Sequence, residues 1–589
     1  MSASRLKESL QACSKSFETG DIAESDEAVA GAVSLLDSIA EAPPPDAEDV
    51  LIEIDRFLSS QQSNRMAVDA LSLEFPKVVI RFASLSDKCE EIAGDVIKNL
   101  VGICNPRDML SILCEALDSH INVSRAPIYY VLLLNELSKV FRRIQRRQIE
   151  QLKVALPVIL KVIYEVSSDT DEGDRNSLDE LFGAAYSIGT SIQKICEELE
   201  ERMKQELCAI LGLYALQNIA LVSRSRRAHR ASSLCLHVVE FSRFLRFCGL
   251  SYSGLITGSD FNSIAGKISK MDGDDVMACF SFALDGASLA VIWGLISDKV
   301  ADAAGQQVDA TLNIIRNHSN KRWLAVCMLK SIFSSIHYPW EIKSHSIDLL
   351  LSIMGGVDPK EAYDKSIDFA SFMPGIFAVL KGIERTVIGA PDASSRKRTF
   401  GALRKVVSSL PCSERFDVLK ALITNSVSPS MMALLVDIVK EEIHVESHQK
   451  ITPGADETTK GQIYKESCPF WTPHVLDVVE LILKPPQGGP PPLPEHSEPV
   501  LSALNLYRFI LILESSGKTN QTGVLEENTL RKAYSEWLLP LRTLTMGIQA
   551  GNESGCGELA DGILCALAPV QLVLHRCIEL VEEKLKHSV

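Results

Sequence analysis

The sequence predicts an all-α protein, specifically a degenerate helical-repeat solenoid of the HEAT or armadillo type. Apolar residues recur at three- and four-residue intervals along most of the chain, for example over residues 144–163, and this spacing is typical of amphipathic helices. Alternating apolar segments joined by Asn-Gly or Asp-Gly turns are scarce. Helix pairs recur about every 40 residues, as in HEAT and armadillo arrays, but no crisp repeat consensus is visible.

Clusters of Pro, Gly, Asp and Ser mark the ends of the predicted helices. Early in the chain, Asn105 is expected to cap a helix that has Pro106 at its first position and Asp108 in its first turn. Near the middle, the segment DDVMACFSFAL follows Asp272-Gly273, and we interpret it as one helix with an acidic first turn.

Breaks in the helical pattern divide the chain into four predicted regions. A Gly- and Ser-rich stretch at 247–260 suggests a soft boundary near residue 250, and two stretches, 447–468 and 484–499, have the composition of exposed or mobile loops. The predicted regions are 1–250, an N-terminal helical half; 251–446, a central helical region; 447–499, mobile loops around one helix; and 500–589, a C-terminal helical region. The PPPLP motif in the second loop could bind an SH3 or WW domain, but an inter-helix linker is favoured.

Composition excludes several classes of protein. The 589 residues include 60 Lys and Arg against 76 Asp and Glu, and the resulting net charge of −16 disfavours nucleic acid as a partner. The apolar stretches beginning at Ile128 and Phe509 are shorter than a membrane span, and no signal peptide is evident. We therefore expect a soluble chain without a membrane partner.

The 15 cysteines are scattered, and no C-x-x-C motif occurs. They are expected to be reduced, buried and structural, because an unpaired cysteine packs like a small apolar side chain.

Motifs that carry chemistry are missing from the sequence. No phosphate-binding loop, G-x-G-x-x-G or G-x-S-x-G motif occurs. His444 and His448 could face one metal ion from a helix, but no third ligand is evident, and the acidic run 171–180 departs from the order of a calcium loop. We therefore predict a protein that is not an enzyme, with no catalytic residues, metal, cofactor or small-molecule substrate.

Three basic clusters stand out, at 142–147, 223–230 and 395–398. Each is either a solvated, salt-bridged face or a patch for nuclear import or an acidic partner. Together they favour nuclear access, so the expected location is the nucleus and the cytoplasm.

Several long stretches resemble the glomulin family, and more closely its plant branch of root-formation proteins. They are residues 104–119, 128–160, 431–443 and 502–524, the last followed by WLLPLRTL. The resemblance covers most of the chain and is weakest in the first 60 residues and at 447–499.

The resemblance implies a HEAT-like rod whose C-terminal part binds the RING subunit of cullin-RING ubiquitin ligases, together with the cullin. Such a protein would block the surface on which the ubiquitin-conjugating enzyme docks. For the plant branch, the resemblance also implies a role in lateral root initiation and in hormone responses such as that to auxin.

Candidate partner-binding residues lie in the C-terminal region, since a few aromatic or polar anchors usually dominate an interface. The polar candidates are Asn505, Arg508, Asn520, Gln521 and Thr522. Each has an alternative role, as a solvated helix residue or as part of a capped turn. The aromatic candidate is Trp537, whose alternative role is in the core between helices.

A second hypothesis is an armadillo-like scaffold or transport adaptor that binds an extended peptide. In such proteins the groove usually carries regular Asn and Trp ladders. The five tryptophans of this chain are irregularly spaced, at Trp293, Trp323, Trp340, Trp471 and Trp537. The inhibitor hypothesis is therefore preferred, and an enzyme comes third.

Overall fold

The computed structural model describes residues 2–19, 21–39, 43–60, 65–119, 127–169, 175–224, 231–272, 275–355, 368–451, 469–553 and 558–587. Within these ranges the secondary structure is helical, without a β-strand, so the predicted fold class is confirmed. The chain forms two compact units, Met1–Ile353 and Met354–Val589.

The longest helices of the first unit lie near its middle. Its helices are α1 (Ser2–Thr19), α2 (Ile22–Ile39), α3 (Pro44–Ser59), α4 (Arg65–Leu71), α5 (Phe75–Val79), a 3₁₀ turn (Ile80–Phe82), α6 (Asp87–Ile103), α7 (Pro106–Ser119), α8 (Pro127–Arg143), α9 (Gln148–Asp169), α10 (Arg175–Glu198) and α11 (Glu201–Arg224). They are followed by α12 (Ala231–Phe247), α13 (Tyr252–Ile256), α14 (Ser259–Asp272), α15 (Asp275–Ala278), α16 (Ala283–Ile296), α17 (Asp298–Ala304), α18 (Val308–Arg316), α19 (Ser319–Met328), α20 (Lys330–Ser334) and α21 (Trp340–Met354).

The second unit carries the predicted site. Its helices are α22 (Phe369–Ile388), α23 (Ala393–Ser408), α24 (Cys412–Asn425), α25 (Pro429–Ile451), a 3₁₀ turn (Pro469–Trp471), α26 (His474–Leu483), α27 (Ser497–Gly517), α28 (Glu527–Lys532), a π-helical turn (Ala533–Leu538), α29 (Leu539–Glu553) and α30 (Glu558–His587).

Within each unit, helices pack mainly on their near neighbours in sequence. In the first unit α10 contacts α8, α11 and α12, and in the second α22, α23 and α24 contact one another while α25 lies against α27. This is the packing of helical-repeat proteins, in which each helix buries its apolar side against neighbours.

The core of the first unit is built around α11, which is buried on almost all sides from Ala209 to Ser223. The α16 helix lies against it, and the Trp293 Nε1 donates to Ser223 Oγ at 2.8 Å. A Cβ on Gly286 would lie 1.9 Å from the Leu216 carbonyl oxygen. The two backbones can approach this closely because residue 286 is glycine.

The helix predicted across DDVMACFSFAL is wrong in its extent. The α15 helix stops at Ala278, and α16 starts only at Ala283. At the break, the Phe282 N–H donates to the Gln217 side-chain oxygen of α11 at 2.8 Å. The Gln217 side chain, which belongs to a distant helix, thus accepts from a backbone N–H that would donate to a backbone carbonyl oxygen if the helix were continuous.

Other local predictions have mixed outcomes. The Asn105 cap is confirmed, because its Oδ1 accepts from the Arg107 N–H at 2.9 Å and α7 begins at Pro106. The boundary predicted at residue 250 lies inside the first unit, where α12 packs on α17. In the loop regions, residues 452–468 lie outside the described ranges, whereas 484–496 form a series of turns with Pro491 buried.

The expectations about membrane spans and about cysteines have different outcomes, and the absence of a membrane partner stays a prediction. Two helices in the described ranges are long and apolar enough to span a membrane: α11, and residues Asp561–Lys586 of α30. In α11, 89% of the apolar 18-residue stretch is buried; in α30 the buried share of that stretch is 28%. Both exceed the stretches singled out from the sequence. Among the described cysteines, Cys412 is disulfide-bonded, so the expectation of a reduced thiol is wrong at this position; irregular cysteine spacing gives no indication of such a bond.

Candidate protein-interaction surface

One side of α27 forms a polar and apolar stripe at the surface of the second unit. Asn505, Arg508, Phe509 and Ile512 lie at positions i, i+3, i+4 and i+7, which share one side of a helix. The first three are half-buried, and Ile512 is 43% exposed. These four residues are called the α27 face below.

The α25 helix lies along one side of this face and adds positive charge and an aromatic contact. The Lys440 Nζ lies 5.8 Å from the centre of the Phe509 ring, a cation–π distance. The His444 ring lies 6.1 Å from the same ring, with 33° between the planes. Together, the α27 face and the adjoining side of α25 combine cations, an amide and large apolar groups, which is the composition of many protein-binding surfaces.

The α30 helix lies on the other side of α27, where it contacts the Arg508 region. The Cys577 Sγ donates to the Leu504 carbonyl oxygen at 3.6 Å. Burial raises the pKa of the Cys577 thiol to about 12, and the nearby Arg508 charge opposes this rise. The buried Nε of Arg508 has no hydrogen-bond partner within the described ranges.

A buried carboxylate organises the loop that follows α27. Glu514 is completely buried, and its Oε1 accepts from the Thr522 N–H at 2.8 Å. Its Oε2 accepts from the Thr519 hydroxyl. The chain leaves the helix through Lys518, which has a left-handed φ of 51°.

The loop thereby separates the three candidate residues that it contains. Asn520 and Gln521 are exposed, and the Asn520 Oδ1 accepts from the Leu525 N–H at 2.9 Å. Thr522 is buried beneath them. Only the first two side chains lie where a partner could contact them directly.

Trp537 lies in the π-helical turn and faces the interior. It is 2% exposed, and its ring packs edge-on against Tyr507, with 5.8 Å between centroids and 78° between planes. Tyr507 is two residues from Asn505, so it lies on the opposite side of α27. The Trp537 side chain therefore supports α27 from within, and in this conformation it does not reach the surface.

Of the six residues proposed from the sequence, the fold brings Asn505 and Arg508 onto one face and places Asn520 and Gln521 at the end of the same helix. Their role in binding stays a prediction. Sequence reasoning missed Phe509 and Ile512, although their spacing from Asn505 follows the helical period. It could not indicate Lys440 or His444, because these belong to a helix distant in sequence.

The candidate metal ligands do not form a recognisable centre. The described residues contain no group of three or more His, Cys, Asp or Glu side chains that could hold a metal ion. The His444 ring instead lies beside the Phe509 ring, tilted relative to it. The side chain of His448, and residues 171–174 of the acidic run, lie outside the described part of the structure.

Of the three basic clusters, the first has a defined setting. Lys139, Arg142, Arg143 and Lys194 line an open cleft of about 340 Å³ between α8 and α10, together with Glu198. Residues 225–230 of the second cluster lie outside the described ranges. The third cluster is on the first turns of α23.

Comparison with known proteins places the chain in a family. A family model described as "Uncharacterised protein family, YAP/Alf4/glomulin" matches residues 32–186 and 373–585. The Arabidopsis thaliana protein named aberrant root formation protein 4 is 41% identical over 99% of this chain and 93% of its own length. Human glomulin is 20% identical over 34% of this chain and 30% of its own length.

A solved circular tandem repeat protein covers 100% of this chain and 98% of its own, at 10% identity and a TM-score of 0.26, which is too low to define a shared fold. The sequence matches are decisive: this chain belongs to the YAP/Alf4/glomulin family.

Proposed function

We propose that this protein is a non-catalytic regulator of cullin-RING ubiquitin ligases. In this proposal the α27 face binds the RING subunit of the cullin-bound ligase and prevents docking of the ubiquitin-conjugating enzyme. Membership of the glomulin family supports the proposal, and neither aberrant root formation protein 4 nor glomulin has a name that denotes a catalytic activity. The 41% identity to a root formation protein supports a regulatory role in root development, including lateral root initiation and the response to auxin.

The observation that carries the proposal is the exposed stripe on α27. It lies in the C-terminal part of the chain, where the family resemblance implies RING binding, and it offers an arginine beside two large apolar side chains. Arginine and aromatic residues are enriched among the few positions that dominate binding energy. Inhibition by occlusion needs only such a surface on a packed support, because the inhibitor competes for space and carries out no reaction.

The expected location is the nucleus and the cytoplasm. The exposed basic residues at 142–143 and on the first turns of α23 support this part of the proposal, because short basic clusters are recognised in nuclear import.

The test uses substitutions on the α27 face. Ile512→Glu and Arg508→Glu should each weaken binding of the purified RING–cullin subcomplex at least tenfold, which is about 1.4 kcal/mol, and should restore ubiquitin-chain synthesis in a reconstituted reaction. Trp537→Ala is not a suitable binding variant, because that indole is buried and its loss would disturb the core.

Matched controls carry the same chemical change elsewhere in the second unit. Val427→Glu puts the same acid at a position that is 90% exposed between α24 and α25, and Arg396→Glu reverses a charge on the exposed side of α23. Both should bind like the parent protein. If the parent fails to bind the RING subunit at micromolar concentration, the proposed function is wrong; if face and control variants lose binding equally, the surface is misassigned.

A further inference from the structure

Three cysteines from three consecutive helices meet in the first unit. Cys196 lies near the end of α10, Cys208 in the second turn of α11, and Cys248 directly after α12. These helices pack on one another. The three thiols lie close enough for each to affect the ionisation of a neighbour, and all three cysteines are free.

Backbone geometry independently places Cys248 beside α11. A Cβ built on Gly212, one turn after Cys208, would lie 3.8 Å from the Cβ of Cys248. Cys248 is followed by Gly249, with a left-handed φ of 68°, so it sits where the helix has ended. Cys248 therefore lies beside the part of α11 that carries Cys208, and a disulfide between them requires their Cβ atoms to come within about 3.5–4.5 Å.

The three thiols differ in exposure and charge environment. Cys196 is buried, whereas Cys208 and Cys248 are partly exposed. Hydrogen bonds from Cys196 and Cys248 lower the pKa of the Cys208 thiol, and the Lys204 and Lys267 ammonium groups lower it further. Hydrogen bonding to Cys208, reinforced by burial, raises the pKa of its two neighbours.

We propose that this cluster is a reversible oxidation site for hydrogen peroxide, with Cys208 as the attacked thiol. The Cys208 thiolate attacks one peroxide oxygen, the O–O bond breaks, and a sulfenic acid forms with release of hydroxide, which takes up a proton to become water. A neighbouring thiol, Cys196 or Cys248, then attacks the Cys208 sulfur and displaces a second water. The net reaction converts two thiols and one peroxide into one disulfide and two waters.

The chemistry of the cluster fits this sequence of steps. The attacking group must be a thiolate that solvent can reach, and a nearby cation favours that form. The resolving thiol must be within reach but need not be ionised beforehand. The resulting disulfide would join α11 to α10 or to α12, two helices that already contact it. This inference concerns the first unit and does not depend on the proposed ligase function.

The full-length protein is treated with hydrogen peroxide at pH 7, its remaining thiols are alkylated, and a non-reducing digest is analysed by mass spectrometry. A disulfide from Cys208 to Cys196 or Cys248 should form first and should disappear after reduction with dithiothreitol. Cys208→Ser should abolish it. Cys565→Ser, which removes an exposed thiol from α30, should leave its yield unchanged.

A second variant tests the order of the steps. In Cys196→Ser/Cys248→Ser the attacked thiol has no partner, so its sulfenic acid should persist and react with dimedone at least tenfold more than in the parent protein. The proposal is overturned if peroxide leaves all three thiols reduced while Cys565 is oxidised, or if Cys208 gains no dimedone label in the double variant.

Discussion

At the scale of single residues, Glu514 determines where the candidate loop residues lie. Its carboxylate accepts from the Thr522 N–H and from the Thr519 hydroxyl inside the protein. With these contacts, Asn520 and Gln521 are held at the surface at the end of α27. A glutamate near the end of an otherwise apolar helix gives no hint of this, because its partners follow it in a loop without regular structure.

Glu514→Ala should loosen the loop strongly. Removal of a charged acceptor leaves a buried donor unsatisfied, at a cost of about 1–3 kcal/mol, so exchange of the Thr522 amide hydrogen should become at least tenfold faster. Glu514→Gln should retain most of the protection, because its amide oxygen can still accept from Thr522. Hydrogen-exchange mass spectrometry of residues 518–525 measures the difference. If the Thr522 amide exchanged as slowly in the alanine variant as in the parent protein, the Glu514 side chain would not be what holds the loop.

The candidate site also shows how far sequence reasoning reaches for individual side chains. Asn505 and Arg508 are recognisable because they interrupt an apolar helix at a helical spacing. Trp537 is not assignable in this way, since the burial of an indole depends on Tyr507, which is distant in sequence and contacts it only in the folded unit.

At the scale of helices, the close contact of α16 with α11 depends on the absence of a side chain at Gly286. Gly286→Ala should destabilise the protein by about 1–3 kcal/mol, because the new Cβ would lie 1.9 Å from the Leu216 carbonyl oxygen. Separating the two backbones would open the core around Trp293.

Gly266→Ala is the matched control. Gly266 is within α14, and a Cβ there would have no neighbour within 4 Å. This substitution should stabilise the protein by about 0.5–1 kcal/mol, because alanine loses less backbone freedom in a helix. Urea unfolding followed by circular dichroism compares both variants with the parent. If both substitutions changed the free energy of unfolding in the same direction, the close backbone contact would not be the cause of the effect at Gly286.

Periodicity predicts the helices well but not the places where tertiary contacts interrupt them. The start of α7 follows from local signals alone, since Asn105 and Pro106 supply the cap and the first helical residue. The interruption between α15 and α16 does not, because the Gln217 amide that accepts from Phe282 comes from another helix. The same limit applies to the α27 face, whose Lys440 and His444 contacts come from α25.

At the scale of the whole molecule, the division into two units separates the two proposed activities. The thiol cluster lies in the first unit, and the α27 face lies in the second. Each unit has fully buried aromatic side chains of its own, including Tyr214 and Tyr252 in the first and Tyr507 in the second. A domain with its own apolar core can in principle fold alone.

A fragment of residues 356–589, which begins after α21, should therefore fold and bind the RING subunit by itself. We expect a cooperative thermal transition by circular dichroism and an affinity within about threefold of the full chain, or less than about 0.7 kcal/mol. Ile512→Glu in the fragment should weaken binding as it does in the full chain. The complementary fragment, residues 1–355, should fold but not bind. A folded C-terminal fragment without affinity, beside a full chain that binds, would show that the first unit contributes contacts and that the α27 face is insufficient.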